Sequence, residues 1–139
     1  MKQPKFALSF AFVLVLLGGC VSSEYMAIGE KTCAPRPREY IIDIYLTTDA
    51  PVNVHKAVAN AKSLDALPQR AITVGRVDTS GAPAASWASV IRNAKKKARE
   101  LGGDALVIKE WGHTMVGMDN YGRSYYGKNL SMTVVRYKP

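Results

Sequence analysis

Residues 86–108, SWASVIRNAKKKARELGGDALVI, decide the fold. Ser86 is of a type that caps helix N-termini, and apolar residues then recur at the helical spacing of three and four. Those residues are Trp87, Ile91, Ala94, Ala98 and Leu101. Basic residues in the last turns, followed by Gly102, indicate a helix end with a left-handed glycine cap. The stretch predicts an amphipathic helix from 87 to about 101, followed directly by a strand.

The other side of this predicted helix is strongly basic. Its cations are Arg92, Lys95, Lys96, Lys97 and Arg99, with Glu100 beside them. One interpretation is an ordinary solvated outer face. The functional interpretation is contact with an anionic surface, since each Lys or Arg near such a surface contributes about 1 kcal/mol. These five residues are the candidate anionic-surface contact.

Strand patterns lie on both sides of the helix. Residues 39–47 alternate between two faces, one of which is wholly apolar, and residues 70–78, 104–111 and 130–137 are rich in β-branched and aliphatic side chains. Residues 52–67 have a weaker helical spacing, which predicts a short helix. These elements predict an α+β two-layer sandwich, with about four mostly antiparallel strands and one main helix packed on one face.

Residues 113–129 predict a long projecting hairpin. They combine residues of strand propensity with turn residues at Asp119, Asn120 and Gly122. Tyrosine and methionine are enriched at protein interfaces. The candidate protein contact therefore comprises Met118, Tyr121, Tyr125 and Tyr126. The alternatives are packing of these side chains back onto the sheet, or a mobile loop.

The N-terminus has the pattern of a secretory signal. Lys2 and Lys5 precede an uncharged apolar stretch over 6–17, which is too short to span a bilayer. Leu17-Gly18-Gly19-Cys20 follows and resembles the lipobox of bacterial lipoproteins. This resemblance implies a signal peptide over 1–19, cleavage between Gly19 and Cys20, and lipid on the Cys20 thiol. Attached acyl chains then hold a protein at a membrane.

The remaining chain divides into a tether and one domain. Residues 20–38 show no sustained apolar period, and Pro35 and Pro37 oppose helix formation. We therefore expect a lipidated cysteine with a flexible tether over 20–38 and one α+β envelope domain over 39–139. Val21 follows the cysteine where enteric inner-membrane lipoproteins carry aspartate, so the resemblance implies the outer membrane, facing the periplasm.

Charge and cysteine content limit the partners. The chain has 19 Lys and Arg against 11 Asp and Glu, and only Lys2 and Lys5 of these lie in the signal. A basic envelope protein favours anionic lipid or glycan, or an envelope protein, as partner, while export argues against nucleic acid. With Cys20 lipidated, Cys33 is the only other cysteine, so no internal disulfide is expected.

Two segments resemble a known family. Val74-Gly75-Arg76-Val77 and the joint at 98–108, ARELGGDALVI, are similar to the core of YbjQ-like and RcsF-like small envelope domains. The resemblance covers about a quarter of the chain. It implies a compact β–α–β–β domain, often on a lipoprotein, with a role in envelope stress sensing or no known role. RcsF-like domains carry paired cysteines that this domain lacks, so no disulfide-dependent signalling is implied.

Catalytic and metal motifs are weak. Ser86, Ser89, Asp104 and His113 show no spacing of a hydrolase, and two distant histidines do not supply the three or four ligands of a zinc site. We predict a membrane-anchored, non-enzymatic binding or stress-sensing module without cofactor or metal. The alternative is a periplasmic ligand-binding protein or hydrolase with a pocket between helix and sheet.

Overall fold

A computed structural model describes residues 21–28 and 33–138. The predicted signal peptide and Cys20 lie outside the described residues. In chain order the strands and helices are β1 Val21–Ala27, β2 Asp43–Leu46, α1 Val52–Ala57, β3 Lys62–Ser63, a 3-10 turn Leu64–Ala66, β4 Ala71–Gly81, α2 Trp87–Glu100, β5 Ala105–Met118 and β6 Ser124–Tyr137.

The strands form a single mixed sheet of six, in the order β1-β4-β6-β5-β2-β3. The predicted sandwich with about four, mostly antiparallel strands is therefore wrong, although helix and sheet do pack as α+β. Strands β1, β4, β6 and β5 pair antiparallel, whereas β5, β2 and β3 run parallel. The two additional strands, β1 and β3, lie at the two edges, where pairing on one side suffices and no apolar alternation is required.

Strand β1 differs most from the expectation, because it occupies residues predicted to be part of a flexible tether. It pairs antiparallel with β4 over its whole length, from Val21 opposite Gly81 to Ala27 opposite Gly75. The Ser23 hydroxyl contacts Asn93 of α2 and, at 2.8 Å, the Thr79 hydroxyl. Only Val21 and Ser23 of this strand are partly buried and the other residues are exposed, so apolar periodicity gives no sign of this strand.

The main helix confirms the prediction from its spacing. The five apolar residues of the predicted face are all buried, and Ala94 and Ala98 are fully so. Ser86 caps the helix by accepting a hydrogen bond from the Ser89 N–H at 3.1 Å. The two alanines let the helix axis lie close to the sheet.

The helix ends in the glycine cap that the sequence predicts. Gly102 has a φ of +74°, and its N–H donates to the Arg99 carbonyl at 3.0 Å while Gly103 donates to the Ala98 carbonyl at 2.9 Å. These two bonds are those of a Schellman motif. They turn the chain directly into β5, whose first residues pair with both β6 and β2.

The sheet buries both of its faces, but unequally. The main cluster lies beneath α2 and includes Leu106, Ile108, Leu130, Met132 and Val134. A smaller cluster on the other face joins Tyr45, Ala105, Val107 and Val135, with Leu64 and Leu67 packed against it. The segment around the 3-10 turn thus covers part of the second face. The predicted helix over 52–67 is correspondingly limited to α1.

The predicted hairpin is confirmed, and its two strands, β5 and β6, extend beyond the end of the adjacent strand β4. Strands β5 and β6 pair from Ala105 opposite Val135 to Met118 opposite Ser124. Strand β4 ends at Gly81 opposite Lys128, and beyond that point no other strand in the described part of the chain pairs with β6. Residues 113–128 therefore form a two-stranded extension, which we call the hairpin arm.

Candidate anion-binding groove

A groove of about 900 Å³ runs along the outer side of α2. Its walls are the helix, the segment before β2 and the first residue of β1. Five of its lining residues are basic, and Glu100 is acidic. The basic residues are Arg36, Arg38, Arg92, Lys96 and Arg99. We call this feature the basic groove.

Three of the five predicted contact residues line the groove. Arg92 and Lys96 are exposed along it, and Arg99 donates from Nε to the Tyr40 carbonyl at 2.9 Å. Lys97 instead forms an ion pair with Glu100 at 3.0 Å and stands over the ring of Tyr25.

Lys95 is the other predicted residue outside the groove. Its charge acts on Asp43, on the opposite flank of the helix. The five predicted contact residues therefore do not form one surface. Three line the basic groove, Lys97 pairs with Glu100, and Lys95 lies on the other flank of the helix.

Arg36 and Arg38 join the site from the predicted tether. Asp104, of which only 3% is exposed, accepts a hydrogen bond from Arg36 Nη2 at 2.6 Å and another from the Tyr40 hydroxyl at 2.6 Å. The other carboxylate oxygen accepts the Tyr137 N–H at 2.8 Å. The hydrogen bond to Asp104 raises the pKa of the Tyr40 phenol. One buried carboxylate therefore holds this segment against the start of β5.

The electrostatics of the groove follow from these pairs. Asp104 neutralises Arg36, and Lys97 neutralises Glu100. Among residues 21–28 and 33–138, no ion pair involves Arg38, Arg92, Lys96 or Arg99. The Nε of Arg36 is buried and has no acceptor in this part of the chain. The groove consequently has a clear positive excess.

The predicted protein-contact residues lie together at the end of the hairpin arm, and all are exposed. They are Met118, Tyr121, Tyr125 and Tyr126. Asp119 organises the turn by accepting the N–H groups of Tyr121 and Arg123, each at 2.9 Å, and the Tyr125 hydroxyl at 3.1 Å. The backbone hydrogen bond from Arg123 is the main cause that lowers the pKa of Asp119. The arm ends in a structured turn and does not fold back onto the sheet.

The residues considered for catalysis are used otherwise. The His113 ring meets the edge of Trp87 at 5.6 Å, and Ser86 and Ser89 belong to the helix cap. Both carboxylate oxygens of Asp104 accept the hydrogen bonds described above. No group of three or more His, Cys, Asp or Glu within the described residues could hold a metal ion.

A second polar cluster lies at the end of the sheet where β6 ends and β2 begins. The Tyr137 hydroxyl donates to Asp43 at 2.7 Å and meets the Tyr45 hydroxyl at 2.9 Å, while Lys62 donates to Asp43 at 2.9 Å. Burial, with the hydrogen bonds to Tyr45 and Asp43, raises the pKa of Tyr137. Burial opposes ionisation of Asp43, but the hydrogen bonds from Lys62 and Tyr137 lower its pKa. With a protonated phenol and an ionised, paired carboxylate, this cluster joins β6, β2 and β3.

No helix in the described part of the chain is both long enough and apolar enough to cross a membrane. Comparison of the chain with protein-family models, with curated proteins and with solved structures finds no match.

Proposed function

We propose that this chain is a non-enzymatic lipoprotein of the bacterial cell envelope that binds an anionic group of a lipid or glycan in the basic groove. It is anchored through Cys20, at the outer membrane and facing the periplasm. One observation supports the proposal. The basic groove along α2 contains several cations that no acidic side chain neutralises.

The chemistry of the groove favours phosphate or carboxylate. Arginine presents a planar fork of donors that matches both groups, and three arginines other than the paired Arg36 line the groove. Because the groove is open, the cations remain solvated without ligand, which avoids the desolvation cost of a buried charge cluster.

The position of the groove fits a membrane anchor. Val21 forms part of the groove and follows Cys20 directly in sequence. A lipid on Cys20 would hold one end of the groove near headgroups, where phosphates are concentrated. The lipobox resemblance at 17–20 supports this anchor.

The packing of α2 supports binding over catalysis. The alternative, a ligand-binding protein or hydrolase, requires a pocket between helix and sheet. Ala94 and Ala98, at the middle of that interface, are fully buried in the same cluster as Leu106 and Met132. His113, one of the residues considered for catalysis, packs on Trp87 and lines a cleft formed by residues of β4, β5 and β6, not a pocket between helix and sheet.

Charge reversal in the groove is expected to weaken anion binding. The double variant Arg92→Glu and Lys96→Glu should lower affinity at least tenfold, since each cation contributes about 1 kcal/mol near an anionic group. The protein, held in nonionic detergent, is titrated calorimetrically with dihexanoylphosphatidylglycerol and, separately, with inorganic pyrophosphate. A lipid-only response identifies headgroups, and a response to both identifies phosphate itself.

The matched control is Lys56→Glu with Lys109→Glu, which makes the same charge change at exposed positions away from the groove. Its affinity should remain within about twofold of the unmodified protein, as expected for screened surface charges. Equal losses in both variants would reduce the effect to net charge and contradict a specific groove.

A further inference from the structure

The hairpin arm projects from the same end of the sheet at which the chain enters β1. Val21 lies opposite Gly81, and Gly81 lies opposite Lys128, where the arm begins. Two strand spacings, about 10 Å, therefore separate Val21 from the base of the arm. From Thr114 to Met118 the arm then extends five residues farther, or roughly 17 Å at about 3.3 Å per residue.

One face of the arm carries an apolar strip. Tyr126 and Ser124 are two residues apart and so share a face, and they pair with Met115 and Met118. Met115 is 55% exposed, Met118 60% and Tyr126 51%. We call these three residues the arm strip.

The arm strip continues toward the helix side of the sheet. Lys128 is two residues from Tyr126 and pairs with His113. His113 contacts Trp87 edge-on, and Lys128 Nζ stands 6.0 Å from the centre of the Trp87 ring. The arm strip, the start of α2 and the basic groove thus face the same side of the sheet.

We infer that the hairpin arm lies in the headgroup region of the membrane to which Cys20 is attached, with the arm strip turned toward the lipid. The inference rests on the proposed lipidation of Cys20. A bilayer is the occupant that the chain itself brings to this end, because Cys20 precedes Val21 without a spacer.

The composition of the arm fits an interface between lipid and water. Tyrosine is favoured at headgroup depth, and basic side chains there meet anionic phosphates. Of the two basic residues of the arm, Arg123 pairs with the single acid, Asp119, at 3.4 Å, whereas Lys128 forms no ion pair within the described residues. Tyr121, at the tip, is 84% exposed.

The consequence is a fixed orientation of the domain. Two attachments, one at Cys20 and one through the arm, would turn the helix side of the sheet toward the membrane. The basic groove would then meet headgroup phosphates directly, which deepens the proposed function by making lipid its anion source.

Photo-crosslinking in vesicles tests this orientation. The full-length precursor is processed in cells, purified and reconstituted into phosphatidylcholine–phosphatidylglycerol vesicles that contain a phospholipid with an acyl-chain diazirine. Crosslinked sites are mapped by mass spectrometry. We expect crosslinks to concentrate in residues 114–126, and the variant Met115→Thr, Met118→Thr and Tyr126→Thr to lower their yield at least fivefold.

The control replaces three exposed apolar residues elsewhere with threonine, at Ile41, Val52 and Ile72. It should leave the crosslinks on the arm unchanged. Near-ultraviolet circular dichroism of both variants establishes that tertiary packing is retained. The same samples are analysed for acyl chains on Cys20.

The outcomes separate the two proposals. Lipid on Cys20 with an arm no more crosslinked than Ile41 would overturn the inference and leave the proposed anchor standing, and an arm open to water would then be free for a protein partner. Absence of lipid on Cys20 would overturn the proposed anchor and the inference with it.

Discussion

Replacing Asp104 with alanine is expected to lower the free energy of unfolding by about 3 kcal/mol, because removal of one member of a buried, hydrogen-bonded ion pair leaves its partners uncompensated. Asp104 accepts hydrogen bonds from Arg36, Tyr40 and the Tyr137 backbone. Arg36 is 26% exposed and can turn toward water, which limits the loss. Urea unfolding followed by the fluorescence of Trp87 and Trp111 measures the change.

The effect of Asp104→Ala should also be local. Residues 33–40 should lose protection from hydrogen exchange before the strands do, and the groove should lose the wall that contains Arg36. Asp78→Ala is the control, since Asp78 pairs with Arg76 at the surface and such pairs contribute about 0–1 kcal/mol. Equal costs for the two variants would contradict the central role assigned to Asp104.

Gly103→Ala is expected to cost about 2–3 kcal/mol, as overpacking of a filled core does. A Cβ at this position would lie inside contact distance of Val134 Cγ1 and 3.2 Å from the Ala98 carbonyl. Val134 is fully buried in the sheet, and Ala98 belongs to the helix, so neither can move without displacing the helix from the strand. Thermal unfolding monitored by circular dichroism gives the shift.

Gly112→Ala is the matched substitution for Gly103→Ala. A Cβ at Gly112 meets no atom within 4 Å, and the residue lies on β5, the strand that follows Gly103. Its stability should stay within about 0.5 kcal/mol of the unmodified protein or rise slightly, because alanine loses less backbone entropy than glycine on folding. A loss as large as that at Gly103 would indicate a general intolerance of β5 to side chains.

The helix and its end could be predicted from sequence because the signals are local. The spacing of Trp87, Ile91 and Ala94 reports the buried face, and Gly102 reports the cap. The hairpin was equally accessible, since Asp119 and Gly122 are turn residues between strand-forming segments. In each case the residues that determine the element lie within a few positions of one another.

The edge strand and half of the groove depend on contacts distant in sequence. Strand β1 pairs with β4, whose paired residues run from Gly81 opposite Val21 to Gly75 opposite Ala27 and so lie about fifty to sixty positions away, and only Ser23 and Val21 reveal a buried side. Arg36 and Arg38 reach the groove because Asp104 binds Arg36 across the fold. The segment that contains Arg36 and Arg38 also contains prolines and has no apolar periodicity. Its sequence therefore gives no sign that it packs against the domain.

The divided basic cluster has a similar cause. Helical spacing places five cations on one side of α2, but it does not tell which will find an acid or an aromatic ring. Lys97 finds Glu100 within the helix and Tyr25 on β1. The direction of the groove is set by the segment packed beside the helix and not by the helix alone.

Lipidation of Cys20 is the central claim, and metabolic labelling with a palmitate analogue tests it most directly. Wild-type and Cys20→Ser chains are expressed in a Gram-negative host, labelled and separated into soluble, inner-membrane and outer-membrane fractions. We expect label on the wild-type chain alone, with the mature protein in the outer membrane and the Cys20→Ser variant unlabelled. Equal absence of label from both chains, with the protein in the soluble fraction, would contradict the anchor and the orientation inferred from it.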